Sequence, residues 1–315
     1  MGLHLLLLGL GLIGLWFGSD RIVDAGKAIA GRLGVSQLLV GLTIVSIGTS
    51  LPEIMVTTFS GARGADDIAV GAMVGSCLTQ ITLILGIAGL IHRIHVRKKA
   101  LHVDGTMLLF SIMLFAFFLA TGMKLSPLEG LIMIGLYIAY IAYTVTHDGL
   151  RAQAEDRIKH DPRGYPLWIR LGEIALGIFV LIYSADLVLE NAVSIAQQAG
   201  LSEAFIGVML VGTATGLPEL STAAVGALKK AEGISIGTLI GSNITDPLLS
   251  LGLGALMGGF ATNPDLLLFD IPFWFMASSI ALLVLHSDRL TLNKYDGGAL
   301  VLVYGIFLMT KILML

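Results

Sequence analysis

Gly48-Thr49-Ser50-Leu51-Pro52-Glu53 sets a glutamate directly behind a proline, and the pattern returns at Ala214-Thr215-Gly216-Leu217-Pro218-Glu219. Each glutamate interrupts an apolar run of roughly 25 residues, where a lone charge at membrane depth costs several kcal/mol. Proline has no N–H to donate and clashes with the carbonyl four residues back. Pro52 therefore loosens the turn at Gly48, and Pro218 does the same at Ala214. The freed carbonyls, the nearby hydroxyls and the carboxylate are hard oxygen donors, the ligands that Na+ and Ca2+ prefer. A helix broken at membrane depth is expected to line a site and not to face lipid.

The surroundings of both motifs are those of a membrane protein. The 315 residues are 56% hydrophobic and 13% charged, with a mean hydropathy of +0.89, against about 25% charged residues in a soluble domain. A net charge of −3 carries no nucleic-acid signal, and the single cysteine, Cys77, excludes an internal disulfide or a cysteine-rich metal site. Leu5 to Trp16 lacks a basic flank and a small-residue cleavage site, so it reads as part of a first transmembrane helix.

Apolar windows long enough to span a bilayer predict ten helices, near residues 2–30, 36–62, 67–92, 104–121, 126–146, 167–199, 202–228, 233–258, 265–285 and 296–314. The longest polar stretch, 147–166, separates a first five-helix repeat (1–146) from a second (167–315). With the N-terminus outside, the inner loops and helix ends collect most of the basic residues, from Lys27, Arg32 and Arg93 through Arg151 and Arg163 to Lys229, Lys230 and Lys294. The outer side keeps Arg63, Lys124 and Lys311. This bias places both termini outside and the 147–166 linker in the cytoplasm.

The halves are related residue by residue. Adding 166 to any number from 41 to 90 gives its partner without a gap, and sixteen of those fifty positions are identical, among them Gly41 with Gly207, Thr49 with Thr215, Pro52 with Pro218, Glu53 with Glu219, Gly71 with Gly237 and Ser76 with Ser242. Asp20 and Asp186 continue the register upstream. Five helices is an odd number, so the second copy must sit upside down. The expected fold is therefore all-α and polytopic, two inverted five-helix repeats with a site near the midplane between them.

A second motif opens the helix after each proline break: Gly75-Ser76-Cys77-Leu78-Thr79-Gln80 and Gly241-Ser242-Asn243-Ile244-Thr245-Asp246. Positions i and i+4 share a helical face, so Ser76 points with Gln80, and Ser242 with Asp246. The glycines permit close helix packing.

The paired T-S/G-L-P-E and G-S-x-x-x-Q/D segments, in ten helices with inverted halves, resemble the calcium/cation antiporter superfamily, and most closely its prokaryotic sodium/calcium exchangers. The resemblance implies that Glu53 and Glu219 bind Ca2+ together with the backbone carbonyls of Thr49 and Thr215. It implies that Ser50, Ser76 and Ser242 supply hydroxyls to flanking Na+ sites, and that Gln80 and Asp246 face the middle of the cluster. It further implies a prokaryotic plasma (inner) membrane protein whose first and sixth helices slide against the bundle, with Ca2+ and Na+ as transported ions and no resident cofactor or obligate protein partner. Two positions depart from the family's pattern. Gln80 stands where Asn or Asp is usual, and Gly216 where Ser is usual, which removes one hydroxyl that Thr213 or a water would have to replace.

Glu53, Glu219 and Asp246 together can balance about three monovalent cations, or one Ca2+ plus one proton. Competing ions then share ligands, as an antiporter requires. Exchange of H+ for Ca2+ by the same fold is the alternative, favoured by Gly216. An intramembrane enzyme would need a nucleophile or a catalytic metal, and none is expected; H-E-x-x-H and D-D-x-x-D are absent. Asp20 and Asp186, toward helix ends, are expected to cap, pair or face water. His92, His95 and His102, set among basic residues, are expected near anionic headgroups.

Overall fold

The computed structural model describes residues 2–63, 66–96, 98–147, 165–199, 215–261, 264–287 and 290–314. The apolar windows fold as helices: α1 (Gly2–Leu33), α2 (Gln37–Thr49), α3 (Leu51–Arg63), α4 (Asp66–Thr79, continuing to Ile91), α5 (Lys98–Gly122), α6 (Pro127–His147), α7 (Leu167–Gln198), α8 (Leu217–Leu228), α9 (Glu232–Thr245, continuing to Met257), α10 (Leu266–Asp270, continuing to Ser287) and α11 (Lys294–Met314). Among the described residues, seven helices are long and apolar enough to cross a membrane, and α2 with α3 make one further span bent by 49°. The protein is a nearly all-helical, multi-pass membrane protein.

The bend falls where the proline argument puts it. Ser50, between α2 and α3, has φ −79° and ψ 4°, outside the helical well, and Pro52 follows in the first turn of α3. Pro218 likewise occupies the start of α8, behind Gly216 at φ −86° and ψ 6°. The span expected near 202–228 is seen from Leu217 onward; its earlier part lies outside the described residues, as do Thr213 and most of the 147–166 linker.

Among the described residues, four short strands tie loops together. Ile94–His95 (β1) pairs antiparallel with Thr291–Leu292 (β4), and Lys124–Leu125 (β2) with Phe260–Ala261 (β3). Two π turns recur in the 166-residue register, Gln80–Ile84 in α4 and Asp246–Ser250 in α9. Such turns widen a helix locally and gather at functional sites.

Apolar packing forms two cores. One fills the bundle made by α4, α5, α6, α9, α10 and α11. The other joins α1 and α7 to parts of α2, α8 and α9. The long helices α1 and α7 meet through small residues: a Cβ on Gly18 would lie 2.8 Å from the carbonyl oxygen of Gly177. They expose Leu3, Leu6 and Ile13 on α1, and Leu176 and Phe179 on α7, the apolar surface expected toward lipid. Helix α9 runs through the centre, buried almost without interruption from Ile234 to Asp246. It crosses α2 where Gly237 faces Gly41, and a Cβ on Gly237 would meet Leu38 O at 2.7 Å and Gly41 Cα at 3.0 Å. Gly237→Val should therefore cost at least the 1–3 kcal/mol typical of overpacking, about several degrees of apparent Tm in detergent. An unchanged melting curve would show that the crossing tolerates a side chain.

Candidate ion-binding site

Both glutamates sit in the first turn of a helix: Glu53 on α3, just past the bend after α2, and Glu219 on α8, which begins behind Gly216. That end of a helix presents unpaired N–H groups and favours negative charge. Glu53 is 6% exposed and Glu219 is fully buried. Ser76 Oγ, on α4, donates to Glu53 Oε1 at 3.1 Å. Thr49, at the end of α2, and Ser242, on α9, lie beside Glu219 without reaching hydrogen-bonding geometry. Asp246, fully buried at the π turn of α9, has Ser50 and Ser250 beside it in the same loose way. The three carboxylates are close enough to repel one another. Among the described residues none of them forms an ion pair with a basic side chain.

The sequence-predicted residues Glu53, Glu219, Thr49, Thr215, Asp246, Ser50, Ser76, Ser242 and Gln80 thus come from the two helix breaks and from the helices that follow them. A cluster of their oxygens is buried without a hydrogen-bond partner: Ser50 Oγ, Glu53 Oε2, Thr215 Oγ1, both oxygens of Glu219, Ser242 Oγ and Asp246 Oδ1. Buried acceptors are normally satisfied, and this group consists of the hard oxygens an alkali or alkaline-earth cation takes. A cavity of ≈ 50 Å³ opens beside Glu53, lined by Pro52, Val56, Thr57, Ala72, Met73 and Thr215. Among the described residues no three His, Cys, Asp or Glu side chains form a ready metal site by themselves. Any cation here must therefore draw on hydroxyls and carbonyls as well as carboxylates.

A polar chain leads away from the cluster, and two of its members were not in the sequence reading. Gln80 Nε2 donates to Ser76 Oγ (3.2 Å) and Asp246 Oδ2 (3.4 Å), Asn243 Nδ2 donates to Gln80 Oε1 (2.9 Å), and Trp274 Nε1 on α10 donates to Asn243 Oδ1 (3.1 Å). Cys77 Sγ lies 3.7 Å from Asp246 Oδ2.

Charges outside the site find other partners. Lys229 Nζ, just past α8, holds two aspartates of α1, Asp20 at 2.5 Å and Asp24 at 2.7 Å. In the sequence the same three positions recur 166 residues away as Arg63, Asp186 and Glu190. His92 and His95 lie against Glu232, at 3.7 and 3.3 Å. The letters G-x-S-x-G do occur, at Gly233-Ile234-Ser235-Ile236-Gly237, contrary to the expectation of no nucleophile motif. Ser235 is buried in the helix, its Oγ spent on Ala223 O at 2.8 Å, so it is not a poised nucleophile.

A broken span and a second proline-led helix start that bring buried carboxylates and hydroxyls together inside a multi-pass bundle define a secondary transporter for cations. The model of the family described as sodium/calcium exchanger protein matches residues 3–146 and again residues 170–313, and the chain belongs to that family. It is 31% identical over 341 residues to the sodium/calcium exchanger MaX1 of Methanosarcina acetivorans, covering 97% of both chains. It is 25% identical over 312 residues to the Ca(2+)/H(+) antiporter ChaA of Bacillus subtilis, covering 91% of this chain and 85% of that one. The solved structure of the sodium-calcium exchanger NCX_Mj, soaked with Na+ and Ca2+, superposes with a TM-score of 0.80 at 28% identity, over 96% of this chain and 97% of the other.

Proposed function

We propose that the protein is an antiporter exchanging Ca2+ for Na+ across the membrane by alternating access, the ions binding at one midplane site between two inverted halves. The observation that carries this reading is the cluster of buried, unpartnered oxygens around the two repeat-related proline motifs. Glu53 and Glu219, with the carbonyls of Thr49 and Thr215, hold Ca2+. Ser50, Ser76 and Ser242 serve flanking Na+ ions, and Asp246 faces the middle. Three carboxylates cannot balance a full load of both ions, so Na+ and Ca2+ displace one another.

Two five-helix halves, 1–146 and 167–315 with the 147–166 linker between them, are supported by the family model's double match and by the strands. In the 166-residue register β1 falls on β3, and β2 falls within one residue of β4. Yet β1 pairs with β4, and β2 with β3. Because α5 separates β1 from β2 by a full span, corresponding loops lie at opposite ends of the bundle, as inversion requires. In this reading the chain makes ten spans with both termini outside and the linker in the cytoplasm, which the apolar windows and the basic-residue bias support. Relatives in an archaeon and a bacterium support the plasma membrane of a prokaryote as the location. The separate core of α1 and α7 supports their sliding as a pair against the bundle. Transport of this kind needs no resident cofactor, no obligate protein partner and no enzymatic step.

Radioactive Ca2+ uptake into proteoliposomes, driven in parallel by an outward Na+ gradient and by an outward H+ gradient without Na+, tests the reading. Uptake with Na+ alone is expected. Uptake with H+ alone would keep the fold and the glutamates and move the protein to the proton-coupled reading. That second reading draws on Gly216, which leaves the second half without the hydroxyl that Ser50 supplies in the first. Gly216 shares Ser50's backbone conformation within about 10°, so a serine fits there without strain. Gly216→Ser should lower the Na+ concentration for half-maximal exchange severalfold, and an unchanged Na+ dependence would show that the hydroxyl does not matter.

A further inference from the structure

What Gln80 offers to the site is decided two hydrogen bonds away, at Trp274. An indole N–H can only donate, so its contact with Asn243 makes Oδ1 the acceptor and leaves Nδ2 to face Gln80. Gln80 must then present its carbonyl oxygen to Asn243, and its remaining group, the NH2, to Ser76 and Asp246. Trp274, Asn243, Gln80, Ser76 and Asp246 are all completely buried, so no solvent is available to satisfy a reversed amide. Turning the chain over would set N–H against N–H at the indole and strand two buried donors.

The register between the halves gives this arrangement a counterpart. Residue 243 corresponds to Cys77, and residue 80 to Asp246. In each half the residue after the motif serine touches the central residue of the other half: Asn243 on Gln80, Cys77 on Asp246. The two contacts differ in strength, since an amide is a strong donor and a thiol a weak one.

We propose that Trp274 and Asn243 are positioning residues that lock Gln80 as a hydrogen-bond donor at the centre of the acidic cluster, so that its amide, and not a cation, serves Asp246 Oδ2. Gln80 then acts as a fixed competitor of the transported ions and not as one of their ligands. Incoming cations are left with Asp246 Oδ1, Glu53 Oε2 and Glu219. The inference rests on the antiporter reading for its meaning, but its test reads binding directly.

Equilibrium binding of radioactive Ca2+ to the purified full-length protein, compared with Gln80→Met and Trp274→Phe, decides it. Methionine keeps the length of glutamine without its donors, and phenylalanine keeps the aromatic ring without its N–H. If the amide competes with the cation, Gln80→Met lowers the Kd for Ca2+ severalfold, and Trp274→Phe lowers it by a smaller factor. A raised Kd in Gln80→Met would make Gln80 a ligand and overturn the proposal, and so would a Kd unchanged in both variants. Tightening in Gln80→Met with Trp274→Phe at the wild-type value would overturn the positioning role of the indole. Should Gln80→Met fail to give a monodisperse protein, Trp274→Phe alone carries the test, tightening supporting the proposal and no change refuting it. Uptake by the wild-type protein is measured alongside: binding without exchange defeats the antiporter reading, while the Kd values still judge the role of Gln80.

Discussion

Glu53→Gln and Glu219→Gln are each expected to reduce Ca2+ transport to background while leaving a folded protein. Glutamine keeps the volume of glutamate and one of its two acceptors, so packing around α3 and α8 is preserved. The substitution removes a full negative charge from a buried site. Deleting one member of a buried charge pair typically costs 3–5 kcal/mol, about two to four orders of magnitude in ion affinity. The two variants should differ in the absence of ions. Ser76 donates to Glu53, whereas both oxygens of Glu219 lack a partner, and Glu219 also stands in the field of Asp246. Removing the Glu219 charge therefore relieves repulsion without breaking a hydrogen bond, and the ion-free Glu219→Gln protein should melt at or above the wild-type temperature. Gel filtration and melting in chelator check the fold, and proteoliposome uptake checks the activity. Substantial Ca2+ uptake by either variant would remove that glutamate from the site.

The residues that carry this prediction were legible because they violate the pattern around them. Pro52 and Pro218 mark where the spans are expected to break; the first does bend at Ser50, and α8 starts at Leu217, one residue before Pro218. A charge behind each proline has no cheap explanation in an apolar run. The 166-residue register was legible for the same reason, since it needs only identities at fixed spacing. The π turns at Gln80 and Asp246 fall in the same register, but no local rule predicts them and only the structure shows them. What stayed hidden depends on long-range contacts. Trp274 lies 31 residues from Asn243 and 194 from Gln80 in the chain, and nothing in its neighbours separates it from the other aromatic residues of an apolar helix. Asn243 occupied an unassigned place in its motif. Asp20 was expected to cap, pair or face water, but its partner Lys229, 209 residues away, became visible only in the fold.

Tying α1 to the bundle should stop exchange altogether. Ser19 Oγ on α1 lies 2.7 Å from Ser221 Oγ on α8, a separation that suits a disulfide if both become cysteine. The link would lie in the same α1–α8 contact as the clasp of Lys229 on Asp20 and Asp24. A salt bridge partly open to water contributes little and breaks easily; a disulfide does not break on the timescale of a transport cycle. Alternating access needs the site to open to each side in turn, and here the proposed movable element is the α1–α7 pair, packed on itself through Gly18 and Gly177 and joined to parts of α2, α8 and α9 by a core distinct from that of the main bundle. If that pair slides, an oxidised Ser19→Cys/Ser221→Cys protein binds Ca2+ but does not exchange it, and reductant restores transport. The native Cys77 is buried on α4, so the engineered pair is the one positioned to react. Full exchange in a quantitatively cross-linked protein would mean that α1 stays fixed on α8 and that the opening motion belongs to other helices.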